Sequence, residues 1–260
     1  MLYSRFIKTY YLTIFNKSFK SKGKVKKKLA LSFRQFHTIV TNNKDLKSKI
    51  ILSNIQKDII IGTILGDSSL ERYGRSINTR LRIDQTFPQH AEYTMHLFSH
   101  LINLCGKGPK VYIRKPDLRN NKIYSSIQFK TLALPSLNYY KDLFYKDGKK
   151  IIPENIGDLL TARALAYWIS DDGGLGSYGE TNLYCMAYTL EEIELLRQAL
   201  LNNFKLRTRI HEKKPNQWII VIPIKQEIPL KNIVLPYIHY SMLYKLSKIR
   251  STSSNYFNNN

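Results

Sequence analysis

From residue 54 onward, apolar and polar positions alternate between a helical period and a strand period. Ile59 to Leu65 is an apolar run read as the core of a helix over 56–66, and it ends in Gly66-Asp67-Ser68-Ser69. Strand residues 69–73 follow, then 77–86, where Ile77, Thr79, Leu81 and Ile83 alternate with Asn78, Arg80, Arg82 and Asp84. That period of two gives one face for a core and one polar, basic face. Pro88 stands at a helix start, and Ala91, Met95, Leu97, Phe98, Leu101 and Leu104 recur at helical spacing before Gly106 and Gly108. Strands over 110–115 and 123–130 flank a turn-rich connection at 116–121, and a helix over 135–145 closes the unit before a linker at 146–150 and Pro153.

The second part of the chain repeats this order. An apolar helix runs through Leu165-Ala166-Tyr167-Trp168-Ile169-Ser170 into Asp171-Asp172-Gly173-Gly174. Glycine-rich turns lead to a strand at 183–188, and Thr189-Leu190-Glu191-Glu192 is a capping box opening a helix to about Phe204. Strands 207–213 and 217–222 form a hairpin around Pro215-Asn216, and 230–245 reads as a closing helix. Each part is therefore helix, strand, strand, helix, strand, strand, helix. Asp67 and Asp172 lie 105 positions apart (172 minus 67), the length of a small domain, so the chain is read as an internal duplication. The expected organisation is a basic extension over 1–53, a first unit over 54–150, a second over 151–250 and a polar tail over 251–260. The fold class is α+β with two antiparallel sheets.

The aspartates at the ends of the two apolar helices are the main chemical signal. A helix C-terminus carries partial negative charge, so a carboxylate there is disfavoured by up to about 1 kcal/mol. Asp67 and Asp172 suit a bound cation better than they suit stability. The competing reading, a buried helix with an Asx-type turn, is even with it for one copy and weaker for two at domain spacing.

Charge then adds a partner. Lys and Arg number 41 against 19 Asp and Glu, for a net charge of +22 and a pI near 9.9. A polyanion follows, nucleic acid before an anionic membrane. The abundant Lys, Asn, Ile and Tyr also reflect an AT-rich coding bias, but that bias does not explain so few acids. The polar strand faces carry Asn78, Arg80, Arg82, Asp84, Arg114, Gln128 and Lys130 in one unit, with Arg119 in the connecting loop. The other unit carries Arg207, Arg209, His211 and Lys213. Such ribbons fit the DNA major groove, where Arg reads guanine and Gln or Asn reads adenine; the plain alternative is a solvated sheet face. Residues 1–44 hold no Asp or Glu, the composition of an organelle transit peptide, a nucleic-acid-binding arm or a read-through remnant. Cys105 and Cys185 make neither a disulfide framework nor a zinc pattern, and no apolar run reaches membrane-spanning length.

The two helix-plus-aspartate stretches, 60–68 and 165–173, resemble the paired motifs of the LAGLIDADG homing endonucleases, the single-chain, double-motif kind encoded in organellar introns. The likeness continues through Lys149-Lys150-Ile151-Ile152-Pro153, Tyr188 to Glu192 and Ser241 to Leu246, covering about 54–248. It implies two pseudo-twofold αββαββα units forming a saddle of antiparallel sheets, with the motif helices packed at the centre through Gly62, Gly66 and Ala166. It also implies Mg²⁺ or Mn²⁺ at Asp67 and Asp172, with the carbonyls of Gly66 and Asp171 as further ligands. Lys150 and Lys245 would be active-site lysines, one per half. Asp171 stands where the first motif has Gly66, so the resemblance assigns its side chain no role. Where the family often has a polar strand residue beside the metals, the first half offers Asp84 or Gln85 and the second Met186. The implied activity is cleavage of a long double-stranded DNA site by a monomer, in a mitochondrion or chloroplast, promoting intron mobility. The alternatives are an intron RNA maturase on the same fold and an inactive DNA-binding relative.

Overall fold

The structure, a computed structural model, describes residues 44–74 and 76–246. Most of the expected basic extension, and all of the tail at 251–260, lie outside the described residues. Helix α1 (Asn54–Leu65) opens on a capping box, Ser53 accepting from the Gln56 amide while the Gln56 side chain accepts from the Ser53 amide. Strands β1 (Ser69–Glu71) and β2 (Arg80–Phe87) follow, then helix α2 (Ala91–Leu101). Strands β3 (Lys110–Ile113) and β4 (Ser125–Lys130) precede helix α3 (Asn138–Phe144). The linker is a small hairpin, β5 (Tyr145–Lys146) and β6 (Lys149–Lys150), and Asp147 and Gly148 both take positive φ in its turn.

The second unit begins with the short helix α4 (Ile156–Leu159) and continues with helix α5 (Ala162–Asp172). Next come β7 (Gly173–Leu175), β8 (Thr181–Tyr184) and helix α6 (Leu190–Phe204), then β9 (Arg209–Lys214), β10 (Gln217–Ile222) and helix α7 (Glu227–Val234). The sheets share one topology, β1-β2-β4-β3 and β7-β8-β10-β9, antiparallel throughout. The duplicated α+β reading therefore holds.

Three expectations are corrected. The closing helix over 230–245 is two pieces, α7 and a 3-10 segment Tyr240–Lys245. Pro236 lies between them, and a proline cannot donate the helical hydrogen bond and crowds the preceding turn. Ile77, assigned to the core face of the second strand, is 82% exposed, because the strand starts only at Arg80. The strand expected over 183–188 is shorter, and the glycine turns ahead of it include a strand, β7.

The core is built around α1 and α5, whose apolar residues Ile59, Ile60, Ile64, Leu165, Ala166, Trp168 and Ile169 are all at or near zero exposure. A helix apolar on every side belongs in a protein interior. The polar members of this pair satisfy themselves: Thr63 Oγ1 donates to the Ile59 carbonyl and Ser170 Oγ to the Ala166 carbonyl, both at 2.8 Å. The two helices meet backbone to backbone. A Cβ on Gly62 would lie 2.3 Å from the Ala164 carbonyl oxygen, and one on Gly66 would lie 2.3 Å from Asp171 Cβ. Ties across the halves reinforce the contact. His96 on α2 hydrogen-bonds Tyr167 on α5 at 2.9 Å, and Arg163 on α5 pairs with Asp58 on α1 at 3.2 Å. Glu192 serves twice, closing the capping box of α6 and accepting from the Ile152 amide of the linker.

This packing leaves no room at Gly62. Gly62→Ala should destabilise the fold by about 2 kcal/mol, the cost of overpacking a tight contact, and lower the Tm in thermal denaturation by several degrees. An unchanged Tm would show that the helices are free to separate there.

Candidate active site and nucleic-acid interface

Helices α1 and α5 end side by side, and their last residues form one cluster of three carboxylates and two ammonium groups. Asp67 follows the α1 cap Gly66, and Asp171 and Asp172 close α5. The Asp171 side chain crosses to the other helix. Its Oδ2 accepts from the Asp67 amide at 3.3 Å and its Oδ1 from Gln85 Nε2 at 3.0 Å. Gln85, on β2, also donates to Asp67 Oδ2 at 3.2 Å. Asp171 thus fills the space that Gly66 leaves by having no side chain, and joins the two helix ends.

Lys150 and Lys245 reach the same point from opposite halves. Lys150 Nζ donates to the carbonyls of Ile64 (2.8 Å) and Gly66 (2.7 Å), and Lys245 Nζ donates to the Asp171 carbonyl. A helix leaves its last carbonyls without amide partners and carries partial negative charge there, so an ammonium group is well placed. The carbonyls of Gly66 and Asp171 each have one lone pair occupied by a lysine.

Burial and mutual repulsion perturb every group. Asp171 is 6% exposed, and burial first, then Asp67 and Asp172, push its carboxyl well above the usual range. Burial, with Asp67 beside it, pushes Asp172 up to about 7 against the pull of Lys150 and Lys245. Asp67 is raised less, since Lys245, Gln85 and Lys150 offset its burial and its side chain is open to solvent on one side. Burial lowers both lysines despite the carboxylates around them. No hydrogen bond from a described residue reaches the Asp172 carboxylate.

This donor set fits a divalent cation. Two oxygen ligands at abutting helix ends, one without a hydrogen-bond donor and both raised in pKa, are what a hard cation would relieve. Among the described residues no three or more His, Cys, Asp or Glu side chains are arranged to hold an ion by themselves. A divalent cation held by Asp67 and Asp172 would therefore take its remaining ligands from backbone carbonyls, water or a bound anion.

The strand residue beside the carboxylates is Gln85 in the first half; Asp84 points to the outer face and pairs with Arg82 at 2.9 Å. In the second half the residue in register is Cys185 and not Met186. Ser69 pairs with Arg82 and Gly174 with Asn182, so Gln85 and Cys185 each stand three residues further along. Cys185 is buried beside Asp172, its thiol raised by burial and then by that carboxylate, whereas Met186 is 38% exposed.

Each sheet turns one face away from the core. On the first, Arg80, Arg82, Asp84, Gln128 and Lys130 share that face, and the register adds Lys110 and Tyr112. Arg82 is held by Glu71 and Asp84, Lys130 by Glu71 at 3.2 Å, and Arg80 stacks over Tyr73 at 4.8 Å. Burial favours the neutral form of Glu71, but hydrogen bonds from Tyr73 and Lys130 outweigh it and lower its pKa. Asn78 is committed to Asn138 at 3.2 Å, Arg119 to Asp117 at 2.8 Å, and Arg114 continues the line of β3. On the second sheet Arg209, His211 and Lys213 line a trough with Asn182, Tyr184 and Tyr178. Arg207 stands apart from it, in a recess with Arg197 and Gln198 of α6. Glu71, Tyr73, Lys110, Tyr112, Asn182 and Tyr184 escaped sequence reading. Strand parity would have placed Lys110 and Tyr112 once β3 was paired with β4.

Comparison with known proteins agrees with this geometry. Residues 57–228 match the LAGLIDADG DNA endonuclease family. The chain is 33% identical over 229 residues to a probable intron-encoded endonuclease 1 of Wickerhamomyces canadensis, covering 80% of this chain and 96% of that one. It is 32% identical over 220 residues to the cytochrome b mRNA maturase bI2 of Saccharomyces cerevisiae, covering 80% of this chain and 51% of that one. The solved structure of the homing endonuclease I-WcaI bound to its DNA recognition sequence superposes with a TM-score of 0.70 at 26% identity, covering 88% of this chain and 95% of that one.

The carboxylate cluster predicts a specific pH behaviour. Asp172 has a folded pKa near 7 against 3.8 in the unfolded chain, so the folded state keeps a proton that the unfolded state has lost. This weakens folding progressively as pH rises from about 4 to 7, and the full cost persists above 7. Asp172→Asn should therefore melt at the parent Tm near pH 4 and progressively above it toward pH 7 in metal-free buffer. Mg²⁺ should narrow the gap at pH 7. A Tm difference independent of pH would remove Asp172 from the coupled cluster.

Proposed function

The chain belongs to the LAGLIDADG DNA endonuclease family, and from that premise we propose that it cleaves both strands of a long double-stranded DNA site as a monomer, with Mg²⁺ or Mn²⁺. The observation that carries this reading is the paired carboxylates at the abutted ends of α1 and α5, flanked by two sheets with basic outer faces. Asp67 and Asp172 would hold the metal, with the carbonyls of Gly66 and Asp171 as further ligands. When bound, such an ion polarises a water and offsets charge developing at the phosphate. Intron-encoded relatives and the AT-biased composition favour action in a mitochondrion or chloroplast.

The chain's own residues perform the remaining work. Lys150 spends two of its three N–H donors on helix carbonyls and Lys245 one, leaving each ammonium a donor for an entering phosphate oxygen. Their charges also offset part of the repulsion among the carboxylates before any cation arrives. Arg80, Arg82, Arg114, Arg119 and Lys130, and in the second unit Arg207, Arg209, His211 and Lys213, would bind the duplex through phosphates and base edges, with Asn78, Asp84 and Gln128 as further base readers. Ion pairs on the first sheet hold Arg82 in place for that contact and must loosen or share when DNA binds.

A maturase role is the second reading, favoured by the likeness to the cytochrome b mRNA maturase bI2. Cleavage of an intronless allele, set against rescue of splicing of the cognate intron, separates the two.

Asp67→Asn or Asp172→Asn should lower double-strand cleavage at least about 100-fold, since the ion contributes several kcal/mol, while DNA binding is retained and Tm is retained or, for Asp172→Asn in metal-free buffer above pH 4, raised. Plasmid cleavage, gel-shift and melting on the same variants check this, and parent-rate cleavage by either variant would refute the assignment. Binding by the parent should weaken steeply with salt, as phosphate contacts release counterions. A Kd indifferent to salt would count against the sheet faces as the DNA surface.

A further inference from the structure

The Gln85 amide faces carboxylates with one end and a histidine with the other. An Oε1 placed between Asp67 and Asp171 would need a proton on both carboxyl groups, whereas Nε2 has two N–H donors to give, so Nε2 is the end between them, which leaves Oε1 toward His90 Nδ1 at 2.8 Å. Oε1 is an acceptor, so His90 must carry its proton on Nδ1. In the neutral ring, the form that burial and the Lys245 charge favour, the other nitrogen Nε2 has a free lone pair, and it lies 3.0 Å from the Tyr244 hydroxyl. Tyr244 donates there. Every donor and acceptor in the sequence Tyr244–His90–Gln85–Asp67/Asp171 is thereby fixed in direction.

We propose that His90 is a positioning residue for the first half-site, holding Gln85, and through it the Asp67 carboxylate, in one orientation, with Tyr244 locking the imidazole from the opposite half of the molecule. Tyr244 adjoins Lys245, so the relay also ties the lysine-bearing segment of the second unit to the carboxylate of the first. Among the described residues nothing equivalent stands in the second half. Gln85 is replaced in register by Cys185, whose thiol donates weakly to the Leu183 carbonyl. The residue ahead of α6 is Thr189, whose side chain caps its own helix. The relay therefore serves one half-site alone.

Two experiments test it, the second resting on the endonuclease reading and the first independent of it. Long-range ¹H–¹⁵N spectra of the full-length, metal-free protein should show the His90 ring as the Nδ1–H tautomer. The Nε2–H tautomer, or averaging between the two, would overturn the relay. In cleavage of a supercoiled plasmid carrying the target, His90→Ala should slow linearisation by about tenfold, the usual scale of an outer-shell partner. Nicked circles should accumulate with the break in one fixed strand. His90→Asn places an amide N–H where Nδ1–H was and should restore linearisation. Tyr244→Phe should fall between. Tm and DNA affinity should match the parent throughout, since His90 reaches Asp67 only through Gln85. Equal slowing on both strands, or equal defects in the Ala and Asn variants, would overturn the positioning role. A parent that cuts no target would sink the endonuclease reading, while the tautomer would still decide the relay.

Discussion

The contact between α1 and α5 is the constraint from which the rest follows. Two helices approach this closely only where one partner lacks a side chain at the crossing, and Gly62 against the Ala164 backbone and Gly66 against the Asp171 side chain meet that condition. Once they are that close, their C-terminal ends coincide and so do the aspartates that follow. A separation wider by one methyl layer would leave two isolated, solvated carboxylates. The same contact fixes where each sheet begins, because β1 and β7 start within two residues of Asp67 and Asp172.

Concentrating negative charge at two helix ends is electrostatically costly, and the fold offsets it locally. Lys150 and Lys245 occupy the helix carbonyls, Gln85 donates to two carboxylates, and Asp171 accepts from the Asp67 amide. The compensation is incomplete, as the upward shifts of all three acids show. Shifts of this kind, with a specific charge partner at the meeting point of two rigid helices, make the cluster a candidate functional centre. The basic outer faces complement it, since they would bring a polyanion to the place where negative charge is already crowded.

The duplication is close in backbone and unequal in chemistry. Sheet order and register repeat, but Gln85 corresponds to Cys185 across the pseudo-symmetry, and while Lys213 over Tyr184 repeats Lys130 over Tyr73 at 5.1 Å, the ion pairs of Glu71 with Arg82 and Lys130 have no counterpart among the described residues of that trough. A single chain frees each half to diverge, which a symmetric pair of identical subunits cannot do.

What the sequence by itself determined was local and periodic: the two apolar helices ending in Asp67 and Asp172, the alternation that set Arg80 and Arg82 opposite Leu81 and Ile83, the capping box at Thr189, and the repeat that made the fold a duplicated α+β unit. These depend on neighbours a few positions away, where helical and strand periods and capping chemistry act. Only the tertiary structure decided that Asp171 crosses to the other helix, that Lys150 and Lys245 sit on helix carbonyls, that Cys185 and not Met186 faces Asp172, and that Arg207 leaves the trough. Each of these depends on register and on the close approach of segments about a hundred positions apart, and no local pattern encodes a distance between chain segments that meet only after folding.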